Sequence, residues 1–243
     1  MTPQTLTLKA PGPFGDIPLR LVFCPGPRRG TILHYHGLSE SKESYPNALS
    51  IFARAGFLAV GVDAIGHGER LARDFAGETS SFQKILRWAD ESAREVPVLV
   101  DALTNLLGSA LGRVGLSGVS FGGYVAYAAF AREPRLAALV AILGSPDYTA
   151  GGTLEGAEAA GESPHRVPER FAGRPLLAVN ARHDQSVPPE HARRFVERLR
   201  PLYAAQPERL DYLEFPDSGH FITDDEWRHV WTRTTDWFSR YLA

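Results

Sequence analysis

The 243-residue sequence predicts an α/β fold: a mostly parallel central sheet, helices on both of its faces, and an antiparallel hairpin at its N-terminal edge. Three observations carry that reading. Apolar runs of strand length alternate with amphipathic stretches of helix length, as expected of a parallel sheet whose crossovers are helical. The opening breaks the alternation: Leu6 to Lys9 and Ile17 to Phe23 alternate in polarity around the turn-forming Pro11-Gly12-Pro13, which reads as a hairpin. Composition agrees, since 44% hydrophobic and 22% charged residues are ordinary for a globular chain of a length that needs neither disulfides nor metals to fold.

The elements follow in order. Thr31 to Tyr35 is a buried strand, Tyr45 to Arg54 an amphipathic helix closed by Gly56, and Phe57 to Val62 the next strand. Ser81 to Leu107 carries helical periodicity, expected to break or restart near Pro97 because proline removes a helix hydrogen bond. Arg113 to Val119 is a strand leading into a helix from Phe121 to Arg132. Strands Ala137 to Leu143, Pro175 to Asn180 and Leu210 to Phe215 alternate with helices Pro189 to Leu202 and Asp224 to Tyr241. Ser145 to Gly173 fits neither period. A stretch of that length without structure in a compact chain is either a candidate lid or a surface insertion. With no repeat and no linker, residues 1–243 are expected to form one domain.

Composition also excludes partners. The formal net charge is −2, from 28 acidic and 26 basic residues, and the short basic clusters at Arg28-Arg29 and Arg193-Arg194 are solvated surface, so no nucleic-acid partner is expected. The longest apolar stretch, Leu136 to Leu143, is too short to span a bilayer. Met1 to Thr5 lacks the basic start and apolar run of a signal peptide, and the single cysteine, Cys24, fits a reducing compartment; a soluble cytoplasmic protein is the expectation.

The chemistry-bearing motif is Gly118-Val119-Ser120-Phe121-Gly122. It follows a strand and opens a helix. A serine on so sharp a turn is strained, needs small neighbours where the chain crowds itself, and projects its hydroxyl at a helix N-terminus, where developing negative charge is favoured. A hydroxyl is a weak nucleophile until a base takes its proton. His220, just beyond the strand ending at Phe215, is the candidate base. His165, His191 and His229 read as surface residues, His183 as a neighbour unable to serve Asp184, His34 as a satisfied buried histidine, and His67 as part of a loop at the site rim. Asp184, directly after the strand ending at Asn180, is the candidate for holding the imidazole's tautomer. Ser120, Asp184 and His220 each follow the carboxyl end of a different strand, where open α/β sheets place their sites. His36-Gly37-Leu38 ends another strand, so the backbone N–H groups of Leu38 and Phe121 are the candidate oxyanion donors, each worth about 3 kcal/mol. Leu38, Phe121, Tyr148 and Phe221 are the expected substrate-binding walls.

Taken together these stretches resemble the α/β-hydrolase superfamily, and most closely its small esterases near the dienelactone hydrolase and prolyl-oligopeptidase-like groups. The similar segments are His36 to Glu43, Val62 to Arg70, the Ser120 elbow, the Asp184 loop and Ser218-Gly219-His220, in the Ser, Asp, His order of that fold. The resemblance implies a carboxylic ester hydrolase working through an acyl-enzyme, with water as second nucleophile, a small-molecule ester as partner and no cofactor or metal. There are departures. Dienelactone hydrolases use a cysteine nucleophile, and Cys24 is too far from the elbow to stand in for Ser120. Only 145–173 is available as a cap, which favours short acyl groups. An aminopeptidase or acyl-peptide hydrolase is the alternative on the same residues, and a non-catalytic binding relative is the third reading.

Overall fold

A computed structural model describes residues 2–71, 82–149 and 162–243. Among them, eight strands form one sheet: β1 (Gln4–Ala10), β2 (Ile17–Phe23), β3 (Thr31–Tyr35), β4 (Leu58–Val62), β5 (Val114–Val119), β6 (Leu136–Ile142), β7 (Leu176–Ala181) and β8 (Leu210–Phe215). Their order across the sheet is β1-β2-β4-β3-β5-β6-β7-β8. β1 runs antiparallel to β2 and β2 to β4, while every pairing from β4 to β8 is parallel. The expected edge hairpin and parallel centre are both present.

Strand alternation sorts the core into two layers. Leu33, Tyr35, Leu116, Leu139 and Leu176 point to one face, where helices α2 (Phe82–Leu107), α3 (Phe121–Arg132) and α4 (Pro189–Leu199) cover them. Ile32, Val140, Ile142, Leu177 and Val179 point to the other, against α1 (Pro46–Arg54) and α5 (Asp224–Tyr241). Because parallel strands are buried on both faces, β3 to β7 are close to wholly apolar. No helix among the described residues is long and apolar enough to cross a membrane.

Two expectations are corrected. α2 continues through Pro97, because Ala93, Val96, Leu99, Val100 and Leu103 are buried on both sides of it and their packing outweighs the lost helix hydrogen bond, a cost of about 3 kcal/mol. The helix from Pro189 stops at Leu199 and tightens into a 3₁₀ turn over Arg200–Tyr203. Within 145–173, residues 162–173 contain the 3₁₀ turns Pro164–Arg166 and Pro168–Phe171, while residues 150–161 lie outside the described residues, as does Ser81.

His34 differs most from expectation. It lies on β3 at 2% exposure, caged by Tyr45, Phe52 and Trp231 with ring centroids 5.2, 6.3 and 5.8 Å away. Neither ring nitrogen has a hydrogen-bond partner among the described residues. Burial therefore penalises the imidazolium, and the pKa falls from near 6.5 to about 3. Between those values the unfolded chain binds a proton that the folded chain refuses, so stability declines as pH falls below 6.5. Urea titrations at pH 7 and pH 5, a window in which carboxylates are still ionised, are expected to show His34 costing the wild type about 2 kcal/mol. In His34→Leu the drop between the two pH values shrinks by that amount, whatever the substitution does to absolute stability.

Candidate active site

The serine sits where β5 turns into α3. Ser120 adopts φ 53° and ψ −111°, a left-handed backbone that disfavours any L-residue and costs about 1–3 kcal/mol. The flanking glycines explain why the turn closes. A Cβ on Gly118 would lie 2.0 Å from the carbonyl oxygen of Gly122, and one on Gly122 would lie 2.3 Å from that of Tyr35. The main chain is pinned on both sides: the Ser120 N–H donates to the Ile142 carbonyl (2.8 Å) and the Ser120 carbonyl accepts from the Gly123 N–H (2.8 Å).

So held, Ser120 Oγ stands 2.9 Å from His220 Nε2, and His220 Nδ1 stands 2.7 Å from Asp184 Oδ2. A carboxylate can only accept, so the proton lies on Nδ1, which leaves Nε2 free to accept the serine proton. The Asp184 side chain is fully buried, and its other oxygen accepts the N–H groups of Ser186 (2.9 Å) and Val187 (2.8 Å) in the turn after β7. The three residues singled out from sequence are thus in one hydrogen-bonded line. An imidazole in this setting can take a proton from a hydroxyl and return it to a leaving group.

The loop that carries His220 is tied at both ends by Glu226, a residue the sequence reading passed over. Its carboxylate accepts from Ser218 Oγ (2.7 and 2.8 Å) before the histidine and from the Thr223 N–H (2.7 Å) after it. Glu226 also completes a capping box with Thr223 at the start of α5, so the same carboxylate that caps the helix spans the loop. Its signal was in the sequence as Thr223-Asp224-Asp225-Glu226.

Opposite lies the turn after β3. His36 is held neutral between two backbone groups. Its Nδ1–H donates to the Gly37 carbonyl (2.8 Å), its Nε2 accepts the Ala64 N–H (3.2 Å), and burial lowers its pKa to about 4. The Gly37 N–H donates to Glu40 Oε2 (2.7 Å), and Ser39 takes a positive φ of 63°. The N–H groups of Leu38 and Phe121 have no acceptor among the described residues. His67, kept neutral by burial, stacks on Phe121 with ring centroids 4.6 Å apart.

These pieces open on one cavity of about 570 Å³. Of the expected walls, Leu38, Phe121 and Phe221 line it, with Phe221 almost wholly exposed at its mouth. Tyr148 does not. It is fully buried, 6.4 Å from the Tyr124 ring, and Tyr124 takes the wall position. Glu40, Tyr45 and Trp227 line the cavity too, and sequence reading had not singled them out. His229 and His183 are exposed. His165 and His191, expected at the surface, are half-buried and flank Asp147 with contacts of 3.2 and 3.1 Å.

A model of the prolyl oligopeptidase family matches residues 43–243. YitV of Bacillus subtilis (strain 168), named as an esterase, is 25% identical over 236 residues, covering 87% of this chain and 89% of its own. TT1662 from Thermus thermophilus superposes with a TM-score of 0.75 at 24% identity, over 96% of this chain and 98% of TT1662. The uncomplexed acylaminoacyl peptidase of Pyrococcus horikoshii superposes at 0.78 with 17% identity, over 100% of this chain but 42% of the peptidase. Both solved structures share the fold.

Proposed function

We propose that this chain, which belongs to the prolyl oligopeptidase family of hydrolases, cleaves carboxylic esters through an acyl-enzyme formed on Ser120. The observation that carries this reading is the line from Ser120 Oγ through His220 to buried Asp184, at 2.9 and 2.7 Å, opening on a largely apolar cavity.

In this reading Ser120 Oγ attacks the ester carbonyl while its proton passes to His220 Nε2. Asp184 holds the ring in the required tautomer and stabilises the imidazolium without itself taking the proton. The tetrahedral oxyanion is received by the Leu38 and Phe121 N–H groups, which have no acceptor among the described residues. Collapse breaks the ester C–O bond, and the Nε2 proton goes to the departing alkoxide. Water then repeats the sequence on the acyl-enzyme, His220 accepting its proton and returning it to Ser120. The substrate is a small-molecule ester. With only 145–173 available as a cap over the cavity, a short acyl group is the expected fit. The lone cysteine, Cys24, fits action in a reducing compartment such as the cytoplasm.

The likeness to an acylaminoacyl peptidase keeps amide cleavage as the second reading, and turnover of p-nitrophenyl acetate against an aminoacyl anilide discriminates the two. Ser120→Ala keeps the backbone and removes the bond-forming oxygen, so kcat on p-nitrophenyl acetate is expected to fall on the order of 10⁴–10⁶-fold with an unchanged circular dichroism spectrum. Retained turnover in the folded variant would remove Ser120 from the reaction.

The oxyanion assignment has its own test, because it concerns a backbone group. Leu38→Ala keeps the N–H and is expected to change the rate only modestly. Leu38→Pro deletes it, and kcat is expected to fall a further 10²–10³-fold or about that. Equal rates in well-folded alanine and proline variants would place the donor elsewhere.

A further inference from the structure

Glu40 is a charged side chain on the wall of an apolar cavity, and no lysine or arginine among the described residues pairs with it. That is unlike the buried carboxylates of Asp63, Asp90, Glu95 and Glu133, each of which is ion-paired with a lysine or arginine. Its Oε2 accepts from the Gly37 N–H at 2.7 Å, and the Tyr45 hydroxyl lies beside the same glycine. Both groups are neutral. The nearby His67 is neutral as well, so among the described residues no cation faces Glu40. Two aromatic rings accompany it on the same wall, Tyr45 and Trp227, with centroids 6.1 Å apart.

The position of this charge matters. Glu40 closes the turn that presents the Leu38 N–H, the proposed oxyanion donor, so a full negative charge sits beside the place where a second one develops. With an uncharged substrate the two repel across a partly desolvated site. A positively charged substrate group lodged against Glu40 removes that repulsion, and the faces of Tyr45 and Trp227 are favourable surfaces for it.

We propose that Glu40, with Tyr45 and Trp227, forms a subsite for a cationic group, so that the preferred substrates are esters carrying an ammonium in either the acyl or the alcohol part. This rests on the esterase reading for turnover, whereas binding of the cation does not.

The test uses matched pairs of esters that differ only in charge. On the alcohol side these are acetylcholine and its isostere with carbon in place of the quaternary nitrogen. On the acyl side they are a p-nitrophenyl ester of a trimethylammonio acid and its tert-butyl counterpart. In at least one pair the cationic member is expected to have the higher kcat/KM, and added salt to shrink the preference. In Glu40→Gln, which keeps an acceptor for Gly37, the cationic-to-neutral ratio falls roughly tenfold, the neutral member rising and the cationic one falling. Equal changes in both members of both pairs would reduce Glu40 to a holder of the loop and overturn the proposal. Saturable quenching of tryptophan fluorescence by benzyltrimethylammonium, weakened in Glu40→Gln, reads the subsite without turnover. Saturable quenching in a protein that hydrolyses no ester would sink the esterase reading and leave the subsite standing. Ester hydrolysis with no saturable quenching and no charge preference would do the reverse.

Discussion

The site depends on one steric constraint, the near-contact of the main chain with itself at Gly118 and Gly122. No other residue type fits either place, since an added Cβ would meet a carbonyl oxygen at 2.0 or 2.3 Å. This crossing is what drives Ser120 into a left-handed backbone and turns its hydroxyl out of the sheet toward His220. The strain of about 1–3 kcal/mol is held by what surrounds it. Ser120 is tied to β6 through Ile142, and ten of the twelve residues of α3 are buried behind it. Relaxing the turn would mean lifting that helix off the sheet.

The remaining groups are brought to Ser120 by the parallel strands. β3 ends at the Leu38 turn, β5 at Ser120, β7 at the Asp184 turn and β8 at the His220 loop, so neighbouring carboxyl ends deliver four segments to one edge. Each segment is then fixed locally by hydrogen bonds of its own: His36 between Gly37 and Ala64, the Ser186 and Val187 N–H groups under Asp184, and Glu226 across the His220 loop. A hydrogen-bonded line within about 3 Å at each step is the outcome of this support, and small displacements of any segment would lengthen it.

The line Ser120–His220–Asp184 was legible in the sequence because its parts are tied to local chain features: a glycine-flanked strand-to-helix turn and two strand ends. The strands themselves were legible because burial on both faces leaves long apolar runs. What was not legible depends on partners distant in sequence. Tyr148 was expected on the wall, yet packing against Tyr124 takes it into the core. His165 and His191 lie 26 residues apart in number and meet only because both reach Asp147. Pro97 predicted a break that buried residues on either side prevent. Glu40 and Trp227 gave no local signal, since nothing in Ser39-Glu40-Ser41 or in the first turns of α5 says which cavity they border. Glu226 had a local signal, the capping pattern, but its second role across the loop needs the fold.

The most direct measurement is covalent labelling with a fluorophosphonate, followed by intact mass and peptide mapping, on the folded chain and on Asp184→Asn. The expected result is one adduct per chain, mapped to Ser120, forming far more slowly when Asp184 no longer holds the His220 tautomer. An adduct on another residue, or labelling of Ser120 at an unchanged rate in Asp184→Asn, would contradict the assignment of Ser120, His220 and Asp184 as a single working unit.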